Sequence, residues 1–238
     1  MANPHAYHDM GNSGIARAAG ESGLRAYLLR VYNYMAGGLV LTGAVAYYGA
    51  VSGVYASLTG TPWFWVVLFA PLGLVLLLSF RIERMSLGAA QLSFWAYAGL
   101  VGLSLSSIFL VYTGESIARV FFITGGTFAA TSVYGYVTRT DLSRFGSFLF
   151  MGLIGVVLAA LVNLFLKSSA LQLTISVIGV FVFVGLTAYD TQRIKAIYVD
   201  EEDAAAAGKK SILGALALYL DFLNLFVMLM QLMGNRRR

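Results

Sequence analysis

The sequence predicts an all-α integral membrane protein with seven membrane-spanning helices. Composition and the length of the apolar runs carry that expectation. Of the 238 residues, 59% are hydrophobic and 11% charged, with a mean hydropathy of +0.77; an average soluble domain has about 25% charged residues. Each apolar run is long enough to cross a ~30 Å hydrocarbon core as a helix of about 20 residues. None has the short alternating pattern of outer-membrane barrel strands. Cysteine is absent, which excludes disulfide frameworks, thiolate metal sites and cysteine nucleophiles. The net charge of +5 comes from basic residues at the ends of apolar runs, where orientation and lipid headgroups account for them and nucleic acid is not implied.

Residues 1–26 are polar and rich in Gly and Ala, without the apolar core of a cleaved signal peptide, and read as a flexible cytoplasmic tail. His5 and His8 have the i, i+3 spacing of a metal pair but no further ligands around them, so they belong to the solvated tail. Residues 27–238 form one transmembrane domain, with spans at about 31–51, 63–80, 89–112, 116–137, 145–166, 171–189 and 212–233. Trp63 and Trp65 follow Thr61-Pro62 at an expected membrane interface. Gly125-Gly126, flanked by Thr124, Thr127 and Thr131, suits close helix packing in the fourth span. Gly152 with Gly155, Gly179 with Gly185, and Gly214 with Ala217 do the same in the fifth to seventh. The sixth run keeps its helical pattern beyond Asp190: Ile194, Ile197 and Tyr198 continue an apolar face and Arg193 and Lys195 occupy the other. That helix is expected to protrude from the membrane. Glu201, Glu202 and Asp203, an Ala run and Lys209-Lys210 read as a solvated linker.

Short loops rich in Lys and Arg stay cytoplasmic. With the N-terminus inside, Arg17, Arg25, Arg30, Arg81, Arg84, Arg139, Arg144, Arg193, Lys195, Lys209 and Lys210 fall on the cytoplasmic side. Arg119, Lys167 and the terminal Arg236, Arg237 and Arg238 fall on the other. The terminal triplet opposes the rule, so the last segment either crosses against it or re-enters; seven crossings are expected because early helices dominate the bias.

Asp221, inside the last apolar run, is the most informative residue. A charge within a span costs roughly 2.5–3.5 kcal/mol on insertion scales and calls for a named partner. Asp190, at the end of the preceding run, is topologically on the same side. Two carboxylates held close at low dielectric resist ionising together and tend to share a proton. When both are ionised they offer hard oxygen ligands to Ca²⁺, so proton and metal compete. Hydrogen bonding of each Asp to backbone or hydroxyl groups between helices is the alternative. Tyr219 and Asn224 lie near Asp221 and could complete a polar cluster, while Arg81 or Arg84 at the end of the second span could latch onto Asp190 or anchor headgroups. Glu115 and Arg119, four residues apart at the opposite boundary, read as a surface pair.

The stretches Gly185-Leu-Thr-Ala-Tyr-Asp-Thr-Gln-Arg-Ile-Lys and Leu218-Tyr-Leu-Asp-Phe-Leu-Asn-Leu-Phe resemble the two signature helices of the Bax inhibitor-1 family. Arg81-Ile-Glu-Arg-Met-Ser, Gly102-Leu-Ser-Leu-Ser-Ser-Ile-Phe, Tyr112-Thr-Gly-Glu-Ser-Ile and Tyr134-Gly-Tyr-Val-Thr-Arg-Thr-Asp-Leu-Ser extend the resemblance across the spans. It implies seven helices with the last wrapped by the other six, and a pH-sensitive Ca²⁺ leak carried by an aspartate pair, here Asp190 and Asp221. It also implies an arginine latch on the second helix. The acidic, Ala-rich loop after Tyr198 departs from the pattern in being longer than in compact members. Bacterial members are similar to this chain, which implies the cytoplasmic (inner) membrane.

The expected function is therefore a proton-regulated Ca²⁺ leak, not an enzyme, with lipid, Ca²⁺ and protons as partners and no cofactor. A non-transporting regulator that binds other membrane proteins is the alternative. An intramembrane aspartyl protease also uses two acids on its last two helices, one after tyrosine as in Tyr189-Asp190, but it carries glycine before the second acid and a downstream Pro-Ala-Leu. Here Leu220 precedes Asp221 and no proline follows Pro71.

Overall fold

Every expected span is a helix in the computed structural model, which describes residues 4–199 and 203–237, with side chains from residue 20 onward. In order these are α1 (Pro4–Val51), the short α2 (Val54–Leu58), α3 (Pro62–Arg81) followed by a 3-10 turn (Ile82–Arg84), and α4 (Leu87–Val111). They continue with α5 (Gly114–Val137), α6 (Ser143–Leu166), α7 (Ser169–Ala196) and α8 (Ala204–Met233). Seven of them are long and apolar enough to cross a membrane. Their starts carry local signals. Pro62 opens α3, where its missing N–H costs nothing. Ser86, Thr113 and Ser168 cap α4, α5 and α7 by accepting the backbone N–H of Ala89, Ser116 and Leu171 at 3.2–3.3 Å.

Two boundaries differ from the sequence expectation. Helix α1 is already helical at Pro4, so the stretch read as a flexible tail continues the first span as backbone helix. Once a helix is nucleated, each added residue contributes a bond. Helix α8 starts at Ala204, not near 212, because Asp203 caps it through the Ala205 N–H (3.2 Å) and the Ala run is a strong helix former. The Ala run is thus the first turn of the last helix and not part of a linker; Glu201 and Glu202 lie outside the described residues. As expected, α7 runs past Asp190, to Ala196.

The last helix is the core. Its most apolar stretch is 67% buried, against 6% for the α3 stretch and 11% for that of α6. It packs against α1, α4, α5 and α7, whereas α3 leans on α4 and α6 on α7 as an outer layer. The wrapping is therefore by four helices with two outside, rather than by all six. The outer faces carry large exposed apolar side chains, among them Phe69 and Leu72 on α3 and Phe148 and Phe165 on α6, as a lipid-facing surface requires. Trp63 and Trp65 are exposed at the start of α3, with Trp65 stacked on Phe69, an interfacial aromatic placement.

The C-terminal residues are fastened on the side opposite the α7–α8 connection. Tyr112 and Arg236 form an antiparallel bridge. The Thr113 N–H donates to Asn235 O (3.0 Å), the Arg237 N–H to Val111 O (2.8 Å) and Arg237 Nε to Tyr112 O (3.1 Å). The chain therefore crosses a last time and ends beside the α4–α5 turn, and the arginine there is used in a backbone clamp.

Close helix approach rests on small residues. A Cβ on Gly102 of α4 would lie 2.7 Å from Thr42 O of α1, a contact that backbone cannot relieve cheaply. Gly73 of α3 has open space. We expect Gly102→Ala to destabilise the protein by about 1–3 kcal/mol through overpacking, and Gly73→Ala to leave stability unchanged or slightly raised; paired thermal unfolding in detergent checks both.

Candidate functional site

Helices α7 and α8 form an antiparallel pair. Gln172 meets Gln231, Gly179 faces Met228, and Ile194 covers Gly214, so contacts step in opposite directions along the two helices. Between the last two of these levels the Asp190 and Asp221 carboxyls lie close enough to act on each other. A carboxylate only accepts hydrogen bonds, so a bond between the two requires that one carry a proton. Asp221 is 4% exposed, and its Oδ2 is buried with no hydrogen-bond partner among the described residues. Lys209 and Lys210 lie level with the end of α3, since Lys209 Nζ donates to Glu83 O at 3.0 Å. Asp221, twelve residues beyond Lys209, is about 18 Å further along the axis, deep in the bundle.

The cation whose charge acts on Asp190 is Arg193, one turn along the same helix. Sequence reasoning placed Arg193 on the polar face of α7 but sought the partner on α3. In this structure neither Arg81 nor Arg84 is among the groups acting on Asp190, and the turn that carries them is tied to α8 through Lys209. The latch of the sequence reading is not formed in this arrangement.

Tyr219 and Asn224 do not join the carboxyls either. Tyr219 lies two residues from Asp221, about 200° around the helix, and points the other way. It is fully buried, edge-on to Tyr97 and Phe94. Thr42 Oγ1 donates to Ala98 O (2.9 Å), which leaves the Tyr219 hydroxyl to donate to Thr42 (2.6 Å). Tyr219 thus fastens α8 to α1. The Asn224 amide donates to Leu220 O of its own helix (2.8 Å). Tyr219 is near Asp221 in sequence, but two positions apart on a helix is not one face; Asn224, three positions on, shares the face of Asp221 and turns its amide back to its own helix.

A line of hydroxyls that sequence reasoning missed lies beside the pair. Thr191, next to Asp190 and 1% exposed, shares a 3.0 Å hydrogen bond with Ser132 of α5, which in turn contacts the Tyr32 hydroxyl of α1. The Thr124, Thr127 and Thr131 stripe was the visible signal, yet each of these hydroxyls bonds back to its own helix, at Val120 O, Ile123 O and Thr127 O. The neighbour, Ser132, is the one that reaches out. At this level Gly135 of α5 lies against α7 so tightly that a Cβ would fall on Ala188 O. Gln192 ties α7 to the α5–α6 connection, accepting from the Leu142 N–H (2.8 Å) and donating to Thr140 O (2.9 Å). At the far end, Gln172 Nε2 and Ser176 Oγ donate to Gln231 Oε1 at 2.6 and 2.7 Å, and Asn163 donates to Gln172.

A family model described as inhibitor of apoptosis-promoting Bax1 matches residues 24–238. The chain belongs to the Bax inhibitor-1 family. The Bax inhibitor-1 match takes in both carboxyls and nearly all of the membrane-spanning chain. Among individual relatives, the inner membrane protein YbhL of Escherichia coli K12 is 51% identical over 221 residues, 91% of this chain and 94% of that protein. An uncharacterised protein of Rickettsia prowazekii is 51% identical over 218 residues, 91% and 92% of the two chains. An uncharacterised protein of Caulobacter vibrioides is 44% identical over 230 residues, 91% of each.

Removing one partner of the carboxyl pair strands the other in a dry interior. Asp190→Ala is expected to cost about 1–3 kcal/mol more than Asp190→Asn, which keeps a hydrogen-bonding group against Asp221. Thermal unfolding of the two variants side by side measures that difference.

Proposed function

We propose that this Bax inhibitor-1 protein is a Ca²⁺ leak whose conductance is controlled by protons at Asp190 and Asp221, in a bacterial inner membrane with its N-terminus on the cytoplasmic side. The observation that carries the reading is the buried carboxyl contact with its unpartnered Asp221 Oδ2. A hydrogen bond between the carboxyls requires one shared proton. Loss of that proton leaves two like charges facing each other, which a divalent cation relieves. Proton and Ca²⁺ therefore occupy the same oxygens in turn.

The donor set suits passage rather than storage. Ca²⁺ takes about six to eight oxygens, and two carboxylates supply up to four. No group of three or more His, Cys, Asp or Glu residues that could hold a metal occurs among the described residues, so water or main-chain oxygens would complete the shell. A loosely held ion can leave. We assign the chain a transport role and no catalytic residue. Arg193 is the cation that acts on Asp190 and competes with Ca²⁺ for it, while Arg81 and Arg84 are the candidate latch cations of a second arrangement in which α3 has moved.

For competition by one proton, apparent Ca²⁺ affinity falls by up to about tenfold per unit of acidification below the titration of the pair. The expected outcome in proteoliposomes is a Ca²⁺ efflux that depends on pH in the wild type and loses that dependence in Asp221→Asn. An unchanged leak with unchanged pH dependence in this variant overturns the reading. Absence of flux from the wild type, together with a stoichiometric membrane partner in native extracts, would support a non-transporting regulator instead.

A further inference from the structure

Residues of α1 and α5 line a groove of about 470 Å³ toward the end of the bundle nearest the α7–α8 connection. That size falls in the range of about 300–1,000 Å³ typical of ligand sites. Leu28 and Phe128 floor the groove, both under 10% exposed, with Ser132 and Tyr32 bonded across its inner end. Leu29 and Val133 form its rims and are more than half exposed, so it opens sideways onto the lipid-facing surface. At its outer end the character changes. Arg25 and Tyr136 line both this groove and an adjoining polar cavity of about 720 Å³, which also takes in Glu21, Ser22 and Lys195. Lys195 Nζ sits 4.5 Å from the centre of the Tyr136 ring and donates to Tyr136 O at 3.0 Å. An ammonium has three donors, so two remain for a ligand.

We propose that this composite cavity binds one anionic phospholipid, its phosphate held by Arg25 and Lys195 and one acyl chain lying in the groove between α1 and α5. Charge complementarity favours an anionic headgroup, because among the described residues two cations and one acid, Glu21, line the polar end. A zwitterionic choline headgroup would set its own cation against Arg25 and Lys195. The apolar groove explains why the ligand is a lipid and not a soluble phosphate: the two cavities meet at shared residues, so headgroup and chain bind as one molecule. The inner end of the groove adjoins the hydroxyl line Tyr32–Ser132–Thr191, whose last member follows Asp190 in sequence.

The test is native mass spectrometry of the full chain released from vesicles of equal phosphatidylglycerol and phosphatidylcholine. Each basic residue near a membrane surface contributes about fivefold in affinity for anionic lipid. The wild type is expected to retain phosphatidylglycerol at least about fivefold over phosphatidylcholine. Arg25→Gln with Lys195→Gln should bring the ratio close to one. Ala129→Phe, which fills the groove and leaves both cations in place, should reduce retention of either lipid. Folding of each variant is checked by its thermal transition, and Ala129→Phe stands as the independent probe should the charge variant not fold. Added glycerol phosphate should displace nothing. Equal retention of the two lipids by the wild type, an undiminished preference in the double variant, or displacement by soluble glycerol phosphate would overturn the proposal, as would a second copy of the chain occupying the groove in place of lipid.

Discussion

A carboxyl in the middle of an apolar helix has to find its partner inside the protein, and that requirement organises this bundle. Asp221 cannot face lipid without a cost of a few kcal/mol, so α8 has to be enclosed on the side that bears it. Asp190 supplies the partner from α7. Their contact fixes the relative register of the two helices, and Gly179 against Met228 and Gly214 against Ile194 keep the axes close enough for two short side chains to meet. The remaining helices then sort by distance from this pair. Those that touch α8 are rich in buried small and hydroxyl residues, while α3 and α6 present broad apolar faces outward.

The polar atoms near the pair fall into two kinds with different consequences. Hydroxyls such as Thr124, Thr127 and Thr187 return their hydrogen bonds to their own helices and are neutral to packing partners. Ser132, Thr191, Thr42 and Tyr219 spend theirs across helix boundaries. Cross-helix bonds in membranes average well under about 1 kcal/mol in measured cycles. Their value lies in specifying which faces meet. On one flank of α8 the link runs through Tyr219 to α1; on the α7 side it runs through Thr191 and Ser132, again to α1. The first helix is thereby connected to the core from both sides.

Much of this was legible in the sequence. Span number and the interior starts followed from hydropathy and from Ser, Thr and Pro at helix entrances, because lipid imposes a length rule with few exceptions. The extension of α7 past Asp190 followed from the unbroken periodicity of Ile194 and Arg193. What stayed hidden were directions around a helix and the behaviour of polar stretches. Tyr219 was near Asp221 in number but on another face. The Ala run after Asp203 looked like linker by charge, although cap and propensity made it helix. The Asp190 cation was sought on another element, when the one acting on it was a turn away on the same helix. The C-terminal bridge to Tyr112 involves backbone atoms alone in its main bonds, and backbone pairing leaves no mark in side-chain chemistry.

The most enclosed helix of this protein is also the last of its described helices to be synthesised. Chains emerge and fold from the N-terminus onward, so α1, α4, α5 and α7 enter the bilayer before the element they enclose exists. During that interval the inward faces that α8 will cover, with Thr42 and Asp190, have neither Tyr219 nor Asp221 against them. The first six spans must therefore stand as an open collar, held by α1 on α4 and by α5 and α6 on α7, until the ribosome delivers α8. Only then do Asn235 and Arg237 close on the α4–α5 turn. Assembly of this membrane protein ends, rather than begins, with the formation of its core.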